Sequence, residues 1–148
     1  MLLFRSITEV TVWSMTLAES MQWIEAHQKQ FSGINFKASE SVQSAVKAAD
    51  IICTITPSRH PIVQKAWLKA GVHINAIGAD AVGKQELDPE ILLSGKVYID
   101  NWDQASHSGE INVPVAQGIF GKKDVTGELG AVVLNQINGR TNDDEITI

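Results

Sequence analysis

Three apolar runs constrain this chain more than anything else in it: "IICTI" (51–55), "VHINAIG" (72–78) and "KVYID" (96–100), each separated from the next by a helix-length interval. Strands buried on both faces read as continuous apolar runs, and parallel neighbours need crossovers of a dozen or more residues. The spacing therefore predicts a parallel sheet with covering helices. Upstream, "EVTVW" (9–13) and "INFKA" (34–38) add two β-branched or aromatic strands. Between the strands, "TLAESMQWIEAHQKQ" recurs at helical spacing through Leu17, Met21, Ile24 and His27. "SESVQSAVKAAD" (39–50) reads as a helix capped by Ser39, a third helix is expected around Val63 to Ala70, and "DPEILLSG" (88–95) carries Pro89 in its first turn. The order βαβαβαβαβ predicts an α/β fold, a parallel sheet with helices on both faces.

Past Asp100 the pattern loosens. "NWDQASHSGEINVPVAQGIFGKKD" mixes short helical stretches with turns, "VTGELGAVVLNQINGR" reads as an amphipathic helix weakened by glycines, and "TNDDEITI" as a polar turn and a strand. Residues 101–148 are accordingly expected to form the helical C-terminal portion of one domain spanning 1–148. The opening "MLLFRSI" resembles the tail of a helix leading into the first strand.

Of the 148 residues, 44% are hydrophobic and 20% charged, and no run of about 18 apolar residues occurs. A net charge of −5 disfavours attachment to nucleic acid or to an anionic membrane. Cys53 is the only cysteine. Lying within "ADIICTI", it is expected to be a buried thiol in a reducing, cytoplasmic setting. No histidine pair has metal-ligand spacing, so no metal is expected, and no nucleophile elbow or Ser-His-Asp set occurs. A small molecule is the expected partner.

Ligands of open α/β sheets sit outside the carboxyl ends of the strands. Four segments fall there: "WSMT" (13–16), "TITPSR" (54–59), "NAIGAD" (75–80) and "DNWD" (100–103). Ser14 stands where an acid usually meets an adenosine ribose; Ser14 and Thr16 could donate to a 2′-phosphate, and they serve equally as helix caps. The threonines of "TITPSR" suit a ribose or adenine ring, while a capped loop explains them as well; Arg59 and His60 are expected to be exposed. In "NAIGAD" small residues let the backbone approach a flat ring, and a desolvated Asp80 beyond it would exchange a proton near neutrality. Lys84 follows by one helical turn. By spacing alone, a turn acid and a solvated lysine explain this pair too. His73 is expected in the core or on a sheet face with its nitrogens satisfied.

The strings "INAIGADAVGKQELDPEIL", "EINVPVAQG" and "TNDDEITI" together resemble the ornithine cyclodeaminase and mu-crystallin family, most of all its archaeal-type alanine dehydrogenases. The resemblance implies a Rossmann-type domain of a homodimeric enzyme that uses NAD or NADP and oxidises a small amino acid at the carbon bearing nitrogen. It implies that Asp80 faces the substrate amine as acid/base and that Lys84 contacts the nicotinamide end. Asn75, Ala76 and Ile77 would line the nicotinamide, with Ile55 as a ring contact, and Ser14, Met15 and Thr16 would hold the adenosine ribose. An acid is common in the family at the place of Ser14, which leaves NAD against NADP open. No G-x-G-x-x-G occurs in the sequence. The expectation is thus a partial dinucleotide-binding domain lacking the family's first strand, its glycine loop and its N-terminal substrate and dimerisation domain, and inactive alone. An ornithine cyclodeaminase-type lyase, a non-catalytic NAD(P)-binding module of the crystallin kind, and a truncated relic are the alternatives. Because the absent strand would be central, the strands near Val12 and Ile52 are expected to re-pair, to be covered by an oligomer, or to fold marginally.

Overall fold

A computed structural model describes residues 6–148. The chain divides into two compact units, Met1–Lys47 and Ala48–Ile148. Of the expected helix tail at 1–7, residues 1–5 lie outside the described residues, and Ser6 and Ile7 are not helical.

In the first unit, β1 (Glu9–Val12) pairs in parallel with β2 (Asn35–Ala38), with Glu9 opposite Asn35 and Val12 opposite Ala38. Between them runs α1 (Leu17–His27). Thr16 starts this helix through a capping box: its hydroxyl accepts from the Glu19 N–H (3.3 Å), and the Glu19 carboxyl accepts from the Thr16 N–H (3.1 Å). Such a cap stabilises a helix by about 1 kcal/mol. The buried residues of α1 are Ser20 and Ile24, whereas Leu17 and Met21 of the expected apolar stripe are exposed. Trp23 stacks on His27 at 4.5 Å between ring centres and meets Phe36 at 6.3 Å, so aromatic contacts carry part of the packing expected of the aliphatic stripe. The next helix, α2 (Val42–Val46), is capped by Ser41, which accepts from the Ser44 N–H. Ser39, the cap expected from sequence, instead donates its hydroxyl to the Ser41 carbonyl.

The second unit is organised by β3 (Ile51–Thr54) and β4 (His73–Ala76), parallel, with Ile52 opposite Ile74 and Thr54 opposite Ala76. The terminal segment 146–148 adds on the far side of β4. Ile74 N–H donates to the Thr147 carbonyl at 2.8 Å and Thr147 N–H to Val72 at 3.2 Å. On its other edge, Lys96 N–H donates to Ile146 (2.8 Å) and Tyr98 N–H to Ile148 (2.9 Å), joining it to β5 (Tyr98–Ile99), which pairs with β6 (Gly127–Glu128). The final strand of the sequence therefore fills a place between β4 and β5. Among the described residues β1 pairs with β2 and β3 with β4, and the expected re-pairing of the Val12 and Ile52 strands is not among these ladders.

Val63, Val72, Ile74, Leu87, Ile91, Leu92 and Val97 form the core of this unit. The helix α3 (Pro89–Ser94) follows expectation, with Pro89 in its first turn and Asp88 as cap. The expected helix from Val63 to Ala70 shrinks to a 3-10 turn, Lys65–Trp67. The reason is that the Ile62 and Val63 amides donate to the Glu86 carbonyl, which holds that chain extended beside Leu87. Residues 101–148 carry α4 (Trp102–Ser108), α5 (Asn112–Ala116) and α6 (Leu129–Val133) together with β6 and the inserted segment 146–148. The helix expected across 125–140 is limited to α6, because Asn135 takes a left-handed conformation (φ 56°) just past it.

Cys53 is exposed, not buried as expected. Strand side chains alternate, and on β3 it is Ile52 and Thr54 that point into the core. Cys53 shares the opposite face with a polar row: Asn75 donates its Nδ2 to Cys53 Sγ (3.7 Å), His73 Nε2 lies 3.3 Å from Asn75 Oδ1, and His73 Nδ1 lies 2.7 Å from Thr147 Oγ1. His73 is thus a satisfied sheet-face histidine. Among the described residues no helix is long and apolar enough to cross a membrane.

Candidate functional site

The carboxyl ends of β3 and β4 lie side by side, and the chain leaving each carries an exposed isoleucine. Ile55 is 74% exposed and Ile77 63% exposed. The Ile77 N–H donates to the Thr54 carbonyl (2.9 Å), which fixes the two strand exits against each other. Large aliphatic side chains left in water at adjacent strand ends form an apolar surface of the kind a flat ring covers. Asn75 and Ala76 precede Ile77 on β4, Asn75 with the polar row and Ala76 opposite Thr54. The sheet thus gathers Ile55, Asn75, Ala76 and Ile77 at one edge.

Beyond Ile77 the loop carries Asp80 and Lys84, which form an i,i+4 ion pair. Asp80 is 72% exposed and Lys84 only 19%. The hydrogen bond and charge of Lys84 hold the Asp80 carboxyl below the ordinary aspartate range. In this structure the Asp80 carboxylate is solvated and paired with Lys84.

The loop is shaped by three residues to which the sequence reading gives no role. Glu86, fully buried, accepts at Oε1 from the Thr56 N–H (2.6 Å) and the Thr56 hydroxyl (2.7 Å), and at Oε2 from the Gly78 N–H (2.9 Å). A single carboxyl group thus ties the exit of β3 to the exit of β4. Gly78 makes this possible, since a Cβ there would lie 2.5 Å from the Thr56 nitrogen and 2.6 Å from Glu86 Cδ. Glu110, between α4 and α5, accepts from the Glu86 N–H (3.0 and 3.1 Å) and the Leu87 N–H (2.7 Å). Burial pushes its carboxyl up to about 8 despite those amides, with the Glu86 charge adding to the rise. Asn112 accepts from the Gly83 N–H (2.8 Å) and donates to the Lys84 carbonyl (2.8 Å). Buried polar groups with partners in sequence-distant segments are the signal here, and no local pattern displays it.

Of the threonines of "TITPSR", Thr54 is buried in the core, and Thr56 donates its N–H and hydroxyl to Glu86 while its hydroxyl oxygen accepts from the Ser58 N–H (3.3 Å), the capped loop that the sequence allows. Arg59 and His60 are exposed, as expected.

In the first unit, Ser14, Met15 and Thr16 follow β1. Ser14 donates to the Thr16 carbonyl (3.1 Å) and lies 2.8 Å from the Ser20 hydroxyl, Thr16 caps α1, and Met15 is exposed. The capping role is real, and it leaves the Met15 side chain in solvent.

Parallel strands joined by crossovers that carry a helix or a 3-10 turn, with exposed apolar and ionic side chains gathered at their carboxyl ends, define a Rossmann-type α/β domain. The chain belongs to the ornithine cyclodeaminase/mu-crystallin family, whose model matches residues 2–148. It is 51% identical to alanine dehydrogenase of Archaeoglobus fulgidus over 112 residues, which is 74% of this chain and 35% of that enzyme. An archaeal alanine dehydrogenase dimer solved with bound NAD superposes with a TM-score of 0.89 at 40% identity, covering 96% of this chain and 43% of the other. The Thermococcus litoralis Delta(1)-pyrroline-2-carboxylate reductase, in complex with NADH and L-proline, gives 0.90 at 30% identity, with 97% and 44% covered. The chain thus spans less than half the length of these relatives.

Proposed function

We propose that this chain supplies the nicotinamide-facing part of the cofactor site of an NAD- or NADP-dependent amino-acid dehydrogenase of the alanine dehydrogenase kind. The observation that carries the reading is the exposed Ile55 and Ile77 pair at adjacent parallel strand ends, with the Asp80 and Lys84 ion pair on the loop that follows. Both the 51% identity to an alanine dehydrogenase and the likeness to NAD-bound structures support it.

The residues fit a nicotinamide. Ile55 and Ile77 present an apolar wall for one face of the ring, and Lys84 is placed to donate to its carboxamide or to a substrate carboxylate. Ser14, Met15 and Thr16 are the ribose-side candidates. The chemistry that a bound nicotinamide would supply is acceptance of a hydride from the substrate carbon that bears nitrogen. Asp80, held ionised by Lys84, is the group that takes the proton the amine loses as that carbon becomes an imine, which water then converts to the keto acid and ammonia. The setting is cytoplasmic, in keeping with a lone unpaired cysteine. Taken alone, the 148-residue chain is expected to bind cofactor weakly and to show no turnover, because relatives bring more than twice its length to the reaction.

A titration of the purified chain with NADH and with NADPH, followed by nicotinamide fluorescence, tests the binding. An assay with L-alanine and NAD or NADP tests the inactivity. Absence of any binding at millimolar cofactor would remove the reading, and alanine-dependent reduction of either cofactor would overturn the inactivity.

A further inference from the structure

We propose that Glu86 is a positioning residue for the nicotinamide-facing cleft: where the Ile77 and Gly78 amides already meet the Thr54 carbonyl, its clasp on Thr56 and Gly78 fixes the course of the two chains just past Ile55 and Ile77. The proposal rests on the nicotinamide reading of that cleft.

Three observations carry it. Glu86 is 0% exposed and yet lies only two residues from Lys84 and six from Asp80, so its burial is not a matter of core filling by an apolar loop. All three of its contacts go to the residues immediately after Ile55 and Ile77, none to a cation: the Thr56 N–H, the Thr56 hydroxyl and the Gly78 N–H. Its own backbone is held from a third direction, because Glu110 grips the Glu86 and Leu87 amides and the Glu86 carbonyl receives Ile62 and Val63. The clasp is therefore anchored at its base and cannot follow the strand exits if they part.

A loop that only needed to be folded could place an apolar side chain at this point, as burying a carboxyl group is costly without donors. What a carboxyl group adds is two acceptor oxygens at a fixed separation, one for each strand exit. Oε1 serves β3 and Oε2 serves β4. The absence of a Cβ at Gly78 is the complementary feature, since a side chain there would occupy the clasp. Substituting Glu86→Gln keeps the shape but turns one of the two oxygens into an N–H donor, which meets an N–H on one strand exit and pushes it away.

The test uses the whole chain with isoleucine δ-methyl groups labelled for NMR, titrated with NADH to millimolar concentration. In the wild-type chain the Ile55 and Ile77 methyls are expected to shift as the ring covers them. In E86Q the apparent affinity is expected to fall about tenfold, with Ile74 and Ile91 methyls in the core unmoved, which separates positioning from unfolding. Equal affinities and equal Ile55 and Ile77 shifts in both proteins overturn the positioning role and leave the nicotinamide reading standing. No shift in the wild-type chain overturns both. If E86Q does not fold, Thr56→Val removes a single leg of the clasp; a loss of about threefold supports the proposal and no loss overturns it.

Discussion

Glu110 holds the backbone amide of Glu86, and the two buried carboxyl groups act in series: the first fixes the chain that carries the second, and the second fixes two strand exits. No cation takes part in either set of bonds. The arrangement has consequences for stability, pH dependence and exchange that can be measured on the isolated chain.

The Glu110 carboxyl, raised from 4.5 to about 8 chiefly by burial, binds its proton more tightly in the folded chain than in the unfolded one. Stability is then fully present below about pH 4.5, falls as pH rises towards 8, and levels off above it, with a loss on the order of a few kcal/mol. Urea unfolding from pH 5 to 9 should show this slope. In E110Q, which cannot ionise, the slope should be largely gone; an unchanged slope would point to another group.

A methyl group at Gly78 would fall within the clasp. Gly78→Ala should destabilise the second unit by about 1–3 kcal/mol, the cost of parting Glu86 from a buried amide or straining the strand exit. Chemical denaturation measures it. A neutral result would mean that the β4 exit moves freely, contrary to the anchoring described above.

Asp80 titrates below an ordinary aspartate because Lys84 is beside it. Carboxyl-carbon NMR of the wild-type chain should place its midpoint low, and Lys84→Ala should return it upward. Asp80→Asn should lower the melting temperature only slightly, since the carboxylate is exposed and the ion pair it makes with Lys84 is at the surface on its side. A large loss of stability would assign Asp80 a structural part.

Arg140 donates to the Gly71 carbonyl (2.7 Å), the Val72 carbonyl (3.3 Å) and Thr147 Oγ1 (2.9 Å), and so fastens segment 146–148 beside β4. Arg140→Ala should cost about 1–3 kcal/mol and accelerate hydrogen exchange at the Ile74 amide, which donates to Thr147. Exchange at the Ile24 amide of α1, in the other unit, should not change.

The strands were legible because each is announced locally, by β-branched or apolar runs broken by turn residues, and α1 and α3 because capping residues mark their starts. Helices failed where a long-range bond competed: Val63 to Ala70 reads as helical until the Glu86 carbonyl takes the Ile62 and Val63 amides. Cys53 was misplaced for a related reason. An apolar run does not say which of its alternating residues faces the core.

By itself the sequence determined the parallel α/β class, the family, and the placing of Asp80 and Lys84 just past a strand end, since these depend on order and spacing along the chain. Only the tertiary structure decided that segment 146–148 lies between β4 and β5, that Asp80 is solvated and paired, and that Glu86, Glu110 and Asn112 hold the loop. Those outcomes hinge on which buried donors and acceptors meet across 23 to 74 residues of chain, as with Glu110 and Leu87 or His73 and Thr147. A hydrogen bond is satisfied in space, and the residues that make it leave no periodicity in the sequence to read.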